Sequence, residues 1–238
     1  MGFSLAIPEE DSHLATRQHL LEAAGEVFAA EGFRAATVRQ ICERARANIA
    51  AVNYHFGDKE KLYQAVLQET YRTAVAKYPA NFGLRENATP EERLRAFVHS
   101  FLLRIFSEGP SALHGKLMAR EMMEPTGALD AIVREDIRPL SAVLQSIVAD
   151  LLGPAANAEA RRFCANSVVS QVLFYHHCRP VVARMFPQIK FDAAGLEQLA
   201  HHITEFSVAA IKSLAARPGR RRKPVRDRQP VTDDNIRK

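Results

Sequence analysis

Cysteine is scarce in this chain, and long apolar runs are absent. Cys42, Cys164 and Cys178 are the three cysteines in 238 residues. Their number is odd, their spacings are wide, and each falls in an apolar helical pattern. That favours buried free thiols in a reducing cytoplasm over a disulfide framework. No stretch reaches the roughly 18 apolar residues of a membrane-spanning helix. The first residues include Glu9, Glu10 and Asp11 but no basic segment leading into an apolar one, so a secretory signal is not expected. A glycine-rich phosphate loop and a Gly-x-Ser-x-Gly elbow are both missing. The runs His176-His177-Cys178 and His201-His202 look like metal ligands, but neighbours on a helix point about 100° apart. Helices that bind metals use i, i+4 pairs, so neither a metal nor a cofactor is expected. Glu121 and Glu124 stand at i, i+3 and read as a solvated face.

What is present is helical. Apolar residues make up 47% of the chain, enough for a globular core. The formal charge of +5 is unevenly spread. Residues 217–238 hold nine cations (Arg217, Arg220, Arg221, Arg222, Lys223, Arg226, Arg228, Arg237 and Lys238) against Asp227, Asp233 and Asp234. That is a net +6, which leaves −1 on the rest. The basic balance therefore belongs to the tail and is no argument that the folded body binds nucleic acid.

The periodicity predicts an all-α chain of about nine helices, with no convincing strand. Residues 1–12 read as a flexible arm. A first helix over 14–31 turns Leu20, Leu21, Ala24, Val27 and Phe28 inward, and Gly32 ends it. Short helices follow at 38–45 and 49–55, then one from Asp58 to about Tyr78. Thr89-Pro90-Glu91-Glu92 combines an N-cap, a proline at the first helical position and a glutamate at the third, and starts a helix reaching Ser107. Further helices are predicted over 111–123, from Pro125 to Leu152 with a kink or break at Pro139, over 158–178 ending or kinking at Pro180, and over 193–215. Beyond Arg217, clustered arginine with Pro and Gly predicts disorder.

Residues 37–56, TVRQICERARANIAAVNYHF, say most about function. Val38, Ile41, Cys42 and Ala45 mark one helix face, with Thr37 and Gln40 placed for a capping box. Asn48 is a second N-cap, and the helix it opens is too short to bury a core of its own. Helix, tight turn and short polar-tipped helix form a helix-turn-helix, whose second helix enters the DNA major groove. On that helix Ile49, Ala50, Asn53 and Tyr54 are candidates for base edges, with His55 nearby. Asn pairs with adenine, and Ala or Ile methyls meet a thymine methyl. Val52 and Phe56 are expected in the core.

These residues also carry a family resemblance. Gly32-Phe33, Thr37-Val38, Ile41, Ala45 and above all Asn53-Tyr54-His55-Phe56-Gly57-Asp58-Lys59-Glu60-Lys61-Leu62-Tyr63 resemble the DNA-binding head of the TetR family of bacterial regulators, over roughly residues 14–74. The sequence Ala-Val-Asn-Tyr-His-Phe and the run from His114 to Thr126 resemble its CecR-like branch. One departure stands out. Where the family has Gly, this chain has Arg46, at a position that often needs positive φ.

By residue type and by resemblance, Thr37, Arg39, Tyr54 and Lys59 are expected to meet phosphates, and Asn48 to belong to the same DNA-binding set. The resemblance implies a three-helix head (13–74, with the motif at 37–56) on a larger helical bundle (75–216) that encloses a small-molecule pocket. Phe97, Phe101, Ile105, Met118, Met122, Phe174, Tyr175 and Cys178 are candidates for its lining. His114, Arg120 and Glu121 are the polar candidates for orienting the ligand. The expected protein is a non-enzymatic, cytoplasmic, nucleoid-associated regulator, most simply a repressor released by its effector. It would act as a homodimer on a pseudo-palindromic double-stranded operator and have no membrane partner. Its dimer seam would lie on the two last long helices, near Val168, Phe174, Leu199, Ile203 and Phe206. The rival reading is a helical enzyme or small-molecule carrier whose head is only structural; no catalytic constellation supports it.

Overall fold

The structure, a computed structural model, describes residues 9–106 and 112–216, with side chains from residue 13 onward. The tail beyond residue 216 and the first eight residues lie outside the described residues, and so do the expectations placed on them.

Helix α1 (Glu9–Ala35) begins inside the segment read as a loose arm, which is corrected for residues 9–12. Gly32 departs from helical geometry at φ 83°, ψ 168°, so the regular helix stops there as expected, although a further turn follows it. α2 (Val38–Ala45), α3 (Ile49–Phe56) and α4 (Lys59–Lys77) match their predicted spans closely. The Thr37 capping box forms: Gln40 N–H donates to the Thr37 hydroxyl at 3.2 Å, and Thr37 N–H donates to the Gln40 side chain at 2.9 Å. α3 and α4 are capped by the side chains of Asn48 and Asp58.

In the body, α5 (Pro90–Phe106) starts from the Thr89–Glu92 capping box, and α6 (Ala112–Met123) packs across it. Pro125 does not open the next helix. The Thr126 hydroxyl accepts from Ala128 N–H at 3.2 Å, and α7 (Ala128–Ile132) starts there. α7 runs through a π turn (Val133–Ile137) directly into α8 (Arg138–Leu152). Pro139 therefore neither breaks nor ends the segment. It lacks the N–H that an α turn would use, and the helix widens in the turn just before it. α9 (Ala158–His177) is followed by α10 (Arg179–Met185), which carries Pro180 in its first turn, and α11 (Ala193–Ala215) closes the bundle.

Two apolar clusters organise these helices. One joins α5, α8, α9 and α11 around Phe97, Leu102, Val148, Val168 and Ile203. The other fills the head around Phe28, Ile41, Val52 and Leu62, and takes in Leu117, Ala128 and Ile132 from α6 and α7. The head thus borrows part of its core from the body, which ties the two mechanically. Three expected seam residues belong to the first cluster. Val168, Leu199 and Ile203 are buried within their own protomer, whereas Phe174 and Phe206 are 53% and 60% exposed. Among the described residues no helix is long and apolar enough to cross a membrane.

Candidate nucleic-acid interface and internal cavity

α3 presents two unlike faces. Val52 and Phe56, four residues apart, are buried and pin it to the head. Ile49, Ala50, Asn53 and Tyr54 are exposed, with Ile49 at the rim of the buried edge, three residues before Val52. Capping engages the Asn48 side chain, which accepts from Ala50 N–H at 3.0 Å. His55 is half buried between α3 and α1; its ring lies 5.0 Å from that of Tyr54 and 6.2 Å from that of His13. Burial, then the nearby His13 and Arg17, hold its pKa below the usual histidine value. Arg17 lies over the Phe56 ring at 5.3 Å, so the N-terminal part of α1 braces the end of α3.

At the other end of the motif, Thr37 is exposed at the start of α2, and Arg39 pairs with Glu43 at 2.9 Å on the surface. Lys59 is engaged inward. Its ammonium donates to the carbonyls of Phe33 at 2.9 Å and Ala36 at 3.0 Å and lies over the Phe33 ring. Those carbonyls end the α1 segment, which explains a cation at the α4 N-terminus, where the helix dipole alone would disfavour it. These bonds use two of its three N–H groups. Arg46 occupies the turn in the left-handed region, φ 52°, ψ 40°, the one non-glycine residue with positive φ among those described. Ala47 N–H reaches Cys42 C=O at 2.9 Å and Arg46 N–H reaches Glu43 C=O at 3.3 Å, the paired bonds of a Schellman cap.

A cavity of about 300 Å³ lies between α4, α5, α6, α8 and α9. Of the expected lining, Phe97, Phe101, Ile105, His114, Met118 and Met122 are there. His114, Met118 and Met122 form an i, i+4, i+8 stripe on α6. The other five expected residues lie elsewhere. Arg120 points to the head and donates to the carbonyls of Ala29 at 3.0 Å and Ala30 at 2.6 Å. Glu121 is fully buried and accepts from Tyr63 O–H at 2.9 Å and Thr126 N–H at 2.8 Å. With burial as the main cause, that bond pushes the Tyr63 phenol well above its ordinary range. Phe174 faces outward, while Tyr175 and Cys178 are half buried away from the lining.

Sequence reading missed Arg104, Tyr71, His176 and His177 in the cavity wall. Tyr71 donates to the Asp136 carbonyl at 2.9 Å and its ring lies 5.5 Å from that of His114. Burial, then Arg104 and His176, lower the His114 pKa to about 4. His176 is also held below the usual value, chiefly by burial. Gly115 lets α6 approach α5; a Cβ there would stand 2.7 Å from the Ile105 carbonyl oxygen. No group of three His, Cys, Asp or Glu side chains suited to a metal occurs among the described residues.

The chain resembles known proteins in both halves. The family description "HTH-type transcriptional dual regulator CecR, C-terminal domain" matches residues 90–211, and "Bacterial regulatory proteins, tetR family" matches residues 20–66. The dual regulator CecR of Shigella flexneri is 26% identical over 205 residues, 79% of this chain and 87% of that protein. The transcriptional repressor NicS of Pseudomonas putida is 27% identical over 208 residues, 84% and 92% of the two chains. In fold, the regulator FadR of Bacillus subtilis, solved with stearoyl-CoA, superposes with a TM-score of 0.59 at 17% identity, covering 81% of this chain and 97% of that one.

Proposed function

Since the chain belongs to the TetR family of bacterial transcriptional regulators, in its CecR-like branch, we propose that it is a repressor that leaves its operator when a small molecule fills the body cavity. The observation that carries the DNA-binding part is that α3 is anchored by buried Val52 and Phe56 while Ile49, Ala50, Asn53 and Tyr54 stay exposed. In this reading Ile49, Ala50, Asn53 and Tyr54 meet base edges, with His55 beside them. Thr37, Arg39, Asn48 and the remaining N–H of Lys59 face the backbone, and Arg46 flanks the turn. The head spans residues 13–74 and the body 75–216.

α6 is the connecting element. One stripe, His114, Met118 and Met122, lines the cavity, while Leu117, Arg120 and Glu121 engage the head. A ligand that displaces the first stripe moves the second, and with it the C-terminal end of α1 and the N-terminal part of α4. The separation of two heads in a homodimer then no longer fits successive major grooves on a pseudo-palindromic site. The protein works in the cytoplasm, on the nucleoid, and catalyses no reaction.

Selection of bound sites from random duplex DNA tests the DNA reading. An inverted repeat is expected. On the selected site Asn53→Ala and Tyr54→Ala should each weaken binding by roughly 1–3 kcal/mol with helical content unchanged. Failure to enrich any site, or parental affinity in both variants, counts against it.

A further inference from the structure

We infer that the cavity takes a small organic monocarboxylate, its carboxylate held by Arg104 with His114 beside it and its apolar part among Phe97, Phe101 and Leu144. The inference rests on reading this cavity as the effector site. Arg104 lies on α5 and is only 2% exposed. Its Nη1 donates to the Tyr78 carbonyl at 2.8 Å and to the Ser100 hydroxyl at 3.3 Å. Its Nη2 has no partner, and neither has Nδ1 of His114. Both residues line the same cavity, and no Asp or Glu is found among its described lining. No ion pair with Arg104 occurs among the described residues.

A buried cation without a counter-charge is costly, and a buried N–H left unpaired adds to the cost. Holding the end of α4 at Tyr78 explains Nη1 alone. It leaves Nη2 and the charge unanswered, and an anionic oxygen in the cavity answers both. Burial lowers the Arg104 pKa only to about 10, so the guanidinium stays charged at neutral pH. His114, neutral there, adds one hydrogen bond and no second charge. A single cation matches a monoanion; a phosphate dianion would bring one charge too many. The planar fork suits a carboxylate. A volume of about 300 Å³ is at the small end of the roughly 300–1,000 Å³ of ligand pockets, which favours a short or single-ring body.

The test uses the full chain without DNA. Acetate, butyrate, hexanoate and benzoate are titrated calorimetrically at constant ionic strength, each beside its own neutral amide. At least one acid should bind, and its amide about ten- to a hundred-fold more weakly, the worth of one charged hydrogen bond. Arg104→Met, checked by circular dichroism for fold, should erase the gap between acid and amide. Arg104→Lys, which keeps the charge and loses the fork, should narrow it. Binding by none of the four acids, equal binding of an acid and its amide by the parent protein, or a preference that survives in Arg104→Met would overturn the inference. Adding the bound acid to a gel shift separates this inference from the functional reading. An acid that binds through Arg104 yet leaves the operator complex intact supports the site and defeats its role as effector site.

Discussion

At the scale of single residues, Arg46 is held in a conformation that side chains resist. Left-handed backbone costs a non-glycine residue about 1 kcal/mol, and a helix C-terminus with this hydrogen-bond pattern normally ends in Gly. Arg46→Gly should therefore raise stability by about 0.5–1 kcal/mol, read as a higher urea midpoint with unchanged slope. A lower midpoint would mean that the arginine side chain contributes more than its backbone costs. His114 makes a prediction of opposite character. Its folded pKa of about 4 lies below the ordinary 6.5. The unfolded chain therefore takes up a proton first as pH falls. The stability His114 contributes is complete above about pH 6.5 and drains away towards pH 4, by up to about 3 kcal/mol. His114→Gln should flatten that part of the stability–pH curve. His176 and His55, also depressed, leave a residual slope of the same sign. Asp136, whose carboxyl burial pushes upward, works in the opposite sense at the acid end. An unaltered curve in His114→Gln would show that the imidazole titrates normally in the fold.

At the scale of helices, α6 is defined by what each of its edges touches, and Gly115 sets its distance from α5. Gly115→Ala gains up to about 1 kcal/mol in helix propensity. It also places a Cβ 2.7 Å from a backbone oxygen that cannot swing aside, an overpacking cost of about 1–3 kcal/mol. The clash should win, and thermal midpoints should fall; a rise would show that the two helices part easily. The same helix marks where sequence reading stopped. Periodicity and caps located α2, α3, α4 and the start of α5 because those signals are local. The stripe of His114, Met118 and Met122 was legible for the same reason. Polarity alone marks Arg120 and Glu121 as ligand contacts, and polarity does not say which neighbour covers which edge of a helix. Arg104 was missed for the converse reason. A cation in the last turn of a helix normally reads as solvated, and here the carbonyl that accepts from it, that of Tyr78, stands 26 residues away in the chain. The break expected at Pro139 does not occur because a π turn precedes it, and no local residue pattern announces that widening.

At the scale of the whole molecule, the body has a face that its own core does not use. Phe163, Phe174 and Phe206 on α9 and α11 are all more than half exposed, although their helices are otherwise anchored by Val168, Val172, Leu199 and Ile203. An apolar stripe in the sequence cannot tell a partner within the chain from a partner in a second copy, so the buried and the outward residues read there as one seam. Their separation moves the decisive substitution. A charge at Leu199 or Ile203 would disrupt the protomer's own core and lose folding and assembly together. A charge at Phe206 or Phe174 leaves that core intact and lands, in a dimer built on this face, where it has no counter-ion. An unpaired charge buried in this way costs several kcal/mol. Phe206→Glu and Phe174→Glu should therefore be folded monomers by circular dichroism and light scattering. They should bind the selected operator far more weakly than the parent, because one head reads only a half-site. If both variants stay dimeric at micromolar concentration, the two-fold axis lies on another face, and the exposed phenylalanines need a different partner.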